Sequence, residues 1–314
     1  MKYLITCILS LSIMSANLSA ENLYVSVNGT GTSCSKDDPC ASVQAAVTNA
    51  GAGDTIKVAA GTYKENIFIP PGKNGLTITG KGVQKTIIQS AGGRDSAFAP
   101  AGVPLDALFQ IVSEEVTIEK MTVEHPAGNV VKRDVAFLVT PFAENTTIQK
   151  CEVVRSRTGE LSFGPGSRGV LVFRAGGAVI SKNNFRGAYQ DHIHVPGHNM
   201  EIVKNKVADA SRLGIVIIQE NATSNNNDNI VAKNIVKNSG SDGIQIQSSN
   251  NIINKNIIEN NAGAAIKLCG LEVIGDCINP FDGWSNSSAN SVSKNKLDDN
   301  GMDIIDNGTN NTVN

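Results

Sequence analysis

Three of the chain's four histidines fall within ten residues, in the stretch YQDHIHVPGH at 189–198. His192 and His194 are two apart, so on an extended strand both leave by the same face, with Cα atoms roughly 6.5 to 7 Å apart. Tyr189 and Asp191 flank them. Three readings are open. A histidine beside a carboxylate can abstract a carbon-bound proton while a cation neutralises an adjacent carboxylate and a tyrosine donates a proton. That assigns catalysis to His192, His194, Tyr189 and Arg212, with Arg186 near them. Alternatively, an H-x-H pair completed by His198 or Asp191 can hold zinc or copper. In the third reading the rings rest beneath loops, hydrogen-bonded to backbone and solvent, and do no chemistry.

The elements that position these residues follow from a repeat. Aligning on a lysine before a short hydrophobic pair gives VTIEKMTVEH, TTIQKCEVVR, AVISKNNFRG, MEIVKNKVAD, NIVAKNIVKN, NIINKNIIEN and NSVSKNKLDD. The lysines are Lys120, Lys150, Lys182, Lys204, Lys233, Lys255 and Lys294, separated by 30, 32, 22, 29, 22 and 39 residues. A base period of 22 with insertions marks a solenoid. Apolar residues alternate in twos, so each unit is built of short strands, and asparagine at every third or fourth position disfavours helix. Asn183, Asn205, Asn234, Asn256 and Asn295 each follow the anchoring lysine. An amide at one corner of stacked coils can bond its own turn and the amide above. Met121 and Cys151 hold that corner in the earlier units, which predicts a buried thiol at Cys151. One coil cannot bury its apolar edge alone, whereas a stack makes a continuous core. The fold class is therefore all-β, a parallel β-helix of about eight coils.

Composition agrees with an exported, soluble chain. The 314 residues carry a net charge of −2 with only 18% charged residues, which points to no nucleic-acid partner. Residues 1–20, MKYLITCILSLSIMSANLSA, have the lysine, short apolar run and small residues of a signal peptide, with Ala20 at the cut. No later segment has the roughly 20 apolar residues a membrane span needs. Cys34 and Cys40, and Cys269 and Cys277, have spacings that suit local disulfides in an oxidising compartment. A secreted, periplasmic or extracellular monomer is expected, with residues 21–314 as one domain: entry and cap at 21–60, coils at 61–314. Within the entry, SVQAAVTNAG predicts a short amphipathic capping helix.

The stretch SVQAAVTNAGAGDTIKVAAGTYKE followed by asparagine-cornered coils resembles the pectin-lyase-like right-handed β-helix superfamily, over nearly all of 22–314. The resemblance implies the fold and leaves the activity open among lyases, hydrolases, epimerases and proteins without known chemistry. Chemistry on an acidic polysaccharide, by β-elimination or C5 epimerisation, would need a base and a cation or calcium at the uronate carboxylate. Alternatives are a non-catalytic adhesin-like surface protein that binds glycans, and a metal-binding periplasmic β-helix. Polygalacturonase signatures and the DPHD motif of alginate epimerases are absent.

In superfamily terms the strand bearing Ile193, Ile215, Ile244 and Ile266 lies in the sheet that lines the substrate groove. Insertions at 124–134, 155–168, 220–228 and from Cys269 to Cys277 and beyond flank it, as walls would flank a trough. Alternation places Leu138, Leu171, His194, Val216, Gln245 and Lys267 in one outward column, with His192, Phe173, Ile218 and Gln247 beside it. Asp191, Gln245, Lys267 and Trp284 become substrate-binding candidates; Trp284 and Phe281 either stack on sugars or pin their own loop.

Overall fold

The computed structural model describes residues 19–92, 105–128, 133–157, 166–218, 228–270, 277 and 287–314. Its strands form three sheets in which every pairing is parallel and neighbours in space are one coil apart in sequence. The first sheet has eleven strands, from Asn22–Val25 to Thr312–Val313. The second has nine, from Gly61–Lys64 to Lys296–Asp298, and the third nine, from Ile67–Ile69 to Met302–Asp306. Nine complete coils result among the described residues, one more than the repeat alone implied. The first sheet starts at Asn22, so strand stacking begins within the entry segment.

The core is a set of vertical columns. Ile56, Ile78, Ile118, Ile148, Ile180, Ile202, Val231, Ile253 and Val292 stack in register on the inner face of the first sheet, each at most 1% exposed. Val123, Val153, Phe185, Val207, Val236 and Ile258 do the same in the second sheet. Burying each such side chain is worth about 1.5–3 kcal/mol. No coil could hold its columns without the next, which is why the repeat must be long.

Corners carry the polar load. Each anchoring lysine from Lys120 to Lys294 has φ between 54° and 60°, a left-handed bend that turns the first sheet into the second. From Lys182 on, the following asparagine is buried, half-buried at Asn295, and forms a ladder. The Asn205 N–H and Nδ2 donate to Asn234 Oδ1 at 2.9 and 3.0 Å, and Asn234 donates likewise to Asn256, which donates to Asn295. Each Nδ2 also donates to a carbonyl of the preceding coil, such as Ile202 O from Asn234 at 2.8 Å. Two further ladders, not foreseen, run at the other corners: Asn229–Asn251–Asn290–Asn311 and Asn261–Asn300. Cys151 sits in the first ladder's line, its N–H donating to Asn183 Oδ1, and burial pushes its thiol up to about 12.

The helix Val43–Asn49 is present, with Val43, Ala46 and Val47 buried against strands Asn22–Val25, Thr55–Val58 and Ile67–Ile69. Ser42 Oγ accepts the Ala45 N–H, and the Glu65 carboxylate accepts those of Val43 and Gln44, as free N–H groups at a helix start require. Disulfides Cys34–Cys40 and Cys269–Cys277 both form. After residue 18, every segment outside the described residues joins a third-sheet strand to its neighbour, as the insertion pattern anticipated.

Replacing Asn234 by alanine strips two acceptor contacts from Asn205 and leaves buried donors unmatched. The expected loss is roughly 2–4 kcal/mol by urea denaturation. Asn254→Ala, at a half-buried strand position, should stay within about 0.5 kcal/mol. Equal effects of the two would mean the ladder does not support the stack.

Candidate active site

On the third sheet's outer face, Leu138, Leu171, His194, Val216, Gln245 and Lys267 stack in one column, coil on coil. Asp191 opens the same strand, Asp191–Val195, and register sets Arg168 beside it one coil earlier. The carboxylate is fully buried. Its Oδ2 receives His194 Nδ1 at 3.0 Å, Arg168 Nε at 3.1 Å and an Arg212 terminal nitrogen at 2.9 Å, while Arg212 Nε donates to Oδ1 at 3.1 Å. Burial works against ionisation of Asp191, but Arg168, His194 and Arg212 outweigh it and hold the carboxyl well below the usual carboxylate range. Burial, and then the charge of Arg168, pushes His194 down to about 4.

His194 is therefore neutral near pH 7. An ionised Asp191 takes its Nδ1–H, which leaves Nε2 as the proton acceptor. One carboxylate between two guanidiniums gives the cluster a net charge of +1. The Arg212 side chain is 31% exposed and that of His194 11%, so both reach solvent from the outer face.

His192 does not share this face. Both histidines were expected to point outward, yet His192 is fully buried, with its ring 5.9 Å from that of Phe185 and 5.7 Å from that of Tyr189. The cause is a slip in the alternation: coils enter the third sheet with two inward residues in succession, as at Leu108 and Phe109, Ala136 and Phe137, and Ala265 and Ile266. In this column the neighbouring coils carry Gly169 and Gly214, and a Cβ at Gly169 would meet the His192 carbonyl and the Phe185 ring. His192 Nε2 donates to Ala208 O at 2.8 Å, and burial pushes the ring down to about 4. Tyr189 is likewise interior, its hydroxyl 2.9 Å from His125 Nδ1. His192 and His194 thus face opposite sides of the sheet and cannot share a metal ion. His198 lies at another corner, bridged to Gly176. Arg186 pairs with Glu152, away from Asp191. Gln245 and Lys267 are buried in the outer column, and Trp284 and Phe281 lie outside the described residues.

A second charged cluster went unread in the sequence. Asp106 and Asp134 are register partners on adjacent strands, and Arg157 bonds both, at 2.9 and 2.7 Å, while Arg155 Nε holds Asp134 at 2.7 Å. His125 completes it, with Nε2 donating to Asp106 O at 2.9 Å. The signal was there: LDALF and RDVAF share a D-x-x-F spacing in register. Asp106, His125 and Asp134 are close enough to share an ion. They do not fit one as placed: both carboxylates are held by arginines, and both ring nitrogens of His125 are engaged, one with a carbonyl and one with Tyr189.

A family profile of the right-handed β-helix region matches residues 136–314. The chain belongs to that family. A pectinesterase profile matches this β-helix chain over 22–157 and ends before Arg168. Pectin methylesterase from carrot shares 13% identity, covering 95% of this chain and 89% of its own, with a TM-score of 0.57. The A-module of the mannuronan C-5 epimerase AlgE4 from Azotobacter vinelandii gives 13%, 93%, 100% and 0.50, and a lacto-N-biosidase from Eubacterium ramulus gives 12%, 94%, 68% and 0.52. No curated protein matches the sequence. At these identities the likeness to solved structures establishes the β-helix fold alone, and any chemistry must be argued from the cluster itself.

The buried imidazoles make this β-helix acid-sensitive. His192 and His194 have folded pKa values below the ordinary 6.5, so the unfolded chain binds protons first as pH falls. Their contribution is complete above about pH 6.5 and is lost progressively toward pH 4. The urea midpoint should fall across that window. His192→Leu, which places there the residue that Leu108 supplies in register, should shrink the fall; an unchanged pH profile would contradict the interior placement.

Proposed function

We propose that this protein is an exported enzyme acting on an acidic polysaccharide, and that it removes the proton at C5 of a uronate unit. The carrying observation is the His194–Asp191 pair at 3.0 Å, flanked by Arg168 and Arg212 on the outer face of the third sheet. In this reading Asp191 orients His194, and His194 Nε2 takes the proton. Arg212, with Arg168 behind it, neutralises the uronate carboxylate, so that the negative charge developing on it is stabilised. Reprotonation of C5 from the opposite face by solvent gives epimerisation; breaking of the C4–O4 bond, with formation of the C4–C5 double bond and protonation of the leaving oxygen by solvent or by His194, gives β-elimination. The arginines also explain why so weak a base suffices. A bound carboxylate offsets the charge of Arg168 that helps to depress His194, so substrate itself raises the basicity of the group that attacks it.

Tyr189 and His192 have no part in this scheme because they lie in the interior. Gln245, two coils beyond His194, is too deep to meet a sugar, whereas Lys267, three coils beyond and slightly exposed, would contact a neighbouring sugar about 14 Å along the axis. Calcium is not required for carboxylate neutralisation when two guanidiniums are already in place. The two disulfides support export. Helix Val43–Asn49 is assigned to closing the first coils, with 21–314 as one domain. De-esterification of a methylated polyuronate is the second reading, favoured by the pectinesterase profile. That match stops short of Arg168, Asp191 and Arg212, and so bears on the fold's first half only.

Polygalacturonate, alginate and methyl-esterified pectin, with and without calcium, separate these readings through unsaturated product, proton exchange with solvent and methanol release. His194→Ala should lower kcat/KM by about 10²–10⁴ and, because it removes one partner of the buried Asp191 carboxylate, cost roughly 1–3 kcal/mol of stability without unfolding the protein. Activity of the wild type should hold on mild acidification and fail as His194 protonates. Full turnover by His194→Ala would end the assignment, and methanol as the sole product would select the esterase. Binding of a polymer without turnover of any of them would select the adhesin-like alternative.

A further inference from the structure

The seven anchoring lysines are placed for more than turning the chain. All of them, Lys120, Lys150, Lys182, Lys204, Lys233, Lys255 and Lys294, are exposed. Backbone bonds stack them on successive coils: the Lys182 N–H donates to Val203 O, that of Lys204 to Ala232 O and that of Lys233 to Asn254 O. With about 4.8 Å per coil, they form a straight cationic row of about 29 Å. The row runs along the corner between the first and second sheets, across the molecule from the third sheet and Asp191.

The backbone does not ask for lysine there. A left-handed residue is best supplied by glycine, asparagine or aspartate, and other side chains cost roughly 1–2 kcal/mol. The other corners mostly follow this preference, with Asn145, Asn199, Asn250 and Asn310 at one, where Glu115 and Ala289 are the exceptions, and Asp209, Asn238, Asn260 and Asp299 at the other. The lysine corner has the same φ in seven consecutive coils and takes none of these residues. Seven like charges one coil apart also repel. Lys120 and Lys150 share Glu119, at 2.5 and 3.9 Å. From Lys182 onward the columns on either side are Ser181, Val203, Ala232, Asn254 and Ser293, and Asn184, Lys206, Ile235, Ile257 and Lys296, without one carboxylate.

We infer that this row is a binding surface for a linear acidic polysaccharide, separate from the catalytic groove. A polyuronate presents one carboxylate per sugar along an extended chain, and a sugar is about as long as one coil is high, so charge meets charge without bending either partner. The exposed apolar side chain of Ile252 and the half-buried Ile230, Ile235 and Ile257 beside the row offer the flat contact that sugar C–H faces accept. Duplex DNA, with one charge per about 1.7 Å of axis, does not match the spacing. The polymer class is taken from the proposed function, but the surface does not involve His194. It would hold the enzyme on an acidic matrix while the opposite face works.

The test is binding of the full chain to polygalacturonate over a range of salt concentrations, with dextran as the neutral control. The variant Lys204→Asn/Lys233→Asn/Lys255→Asn keeps residues that tolerate the bend; its thermal unfolding confirms folding. Its affinity should fall at least tenfold and its log affinity against log salt should flatten by about two, at roughly 0.7 per charge removed. The triple Lys→Arg variant should bind as wild type, and so should His194→Ala, which lacks only the proposed base. Unchanged affinity in the asparagine variant would overturn the surface. Binding of a DNA duplex as tightly as polygalacturonate at equal salt would overturn the polysaccharide assignment. Loss of turnover in His194→Ala is a separate readout, so either proposal can fail alone.

Discussion

The stack stands on one requirement, that every polar group turned into a corner must find its partner in the coil above or below. A coil bends three times, and each bend points amide donors and carbonyls into the interior, where an unmatched one costs about 1–3 kcal/mol. Asparagine answers this because its side chain accepts two donors from one neighbour and donates to the other. Asn234 shows the pattern in full: its Oδ1 serves Asn205, and its Nδ2 serves Asn256 and the Ile202 carbonyl. The ladders work only if coils stay in register, and register in turn lets isoleucine sit on isoleucine. Hydrophobic columns and polar ladders are thus two results of one alignment.

Register also assembles the candidate site from residues far apart in sequence. Arg168 and Asp191 face each other because their strands are neighbours, and Arg212 arrives on the turn into the next strand. A carboxylate so deep inside would be costly to ionise alone. Two guanidiniums reverse that balance and leave the cluster net positive, which suits it to an anionic substrate more than to a cation. The charges that hold Asp191 ionised add to the burial that keeps His194 neutral.

The stretch NNIINKNIIENN at 250–261 shows how much of this was legible. The period, the inward isoleucines, the lysine bends and one ladder could be read, because each repeats at fixed spacing with the same residue type. Asn251 and Asn261 lie five residues either side of Asn256 in that fragment, yet their ladders were missed. Each is incomplete in earlier coils, where Met200 and Ser239 take the place of asparagine, and an irregular column gives no visible period. His192 failed for a different reason. Strict alternation assumes a flat strand, whereas the coil enters the third sheet with two inward residues, and that slip is a property of the corner. Asp106 and Asp134 could have been found by their shared D-x-x-F spacing, but their partners Arg155 and His125 come from other strands, and Arg157 from the chain just past one.

That second cluster has a consequence for the first. A buried, compensated ion network is seldom a net gain in stability over apolar packing. Its position is more informative. Arg155 donates to Ala188 O at 2.6 Å, His125 holds the Tyr189 hydroxyl, and Ser167 Oγ accepts the Gln190 N–H at 3.1 Å. The three residues immediately before Asp191 are therefore fixed one after another, two of them by members of the network. Gln190 then returns a contact, its Oε1 accepting from Arg168 at 3.0 Å. The chain thus emerges at Asp191 from a turn with little freedom left, and the carboxylate that orients His194 starts from a fixed backbone. Rigid placement of that kind is what a site built on side chains from three coils needs, since a small error in the turn would separate Asp191 from both arginines at once.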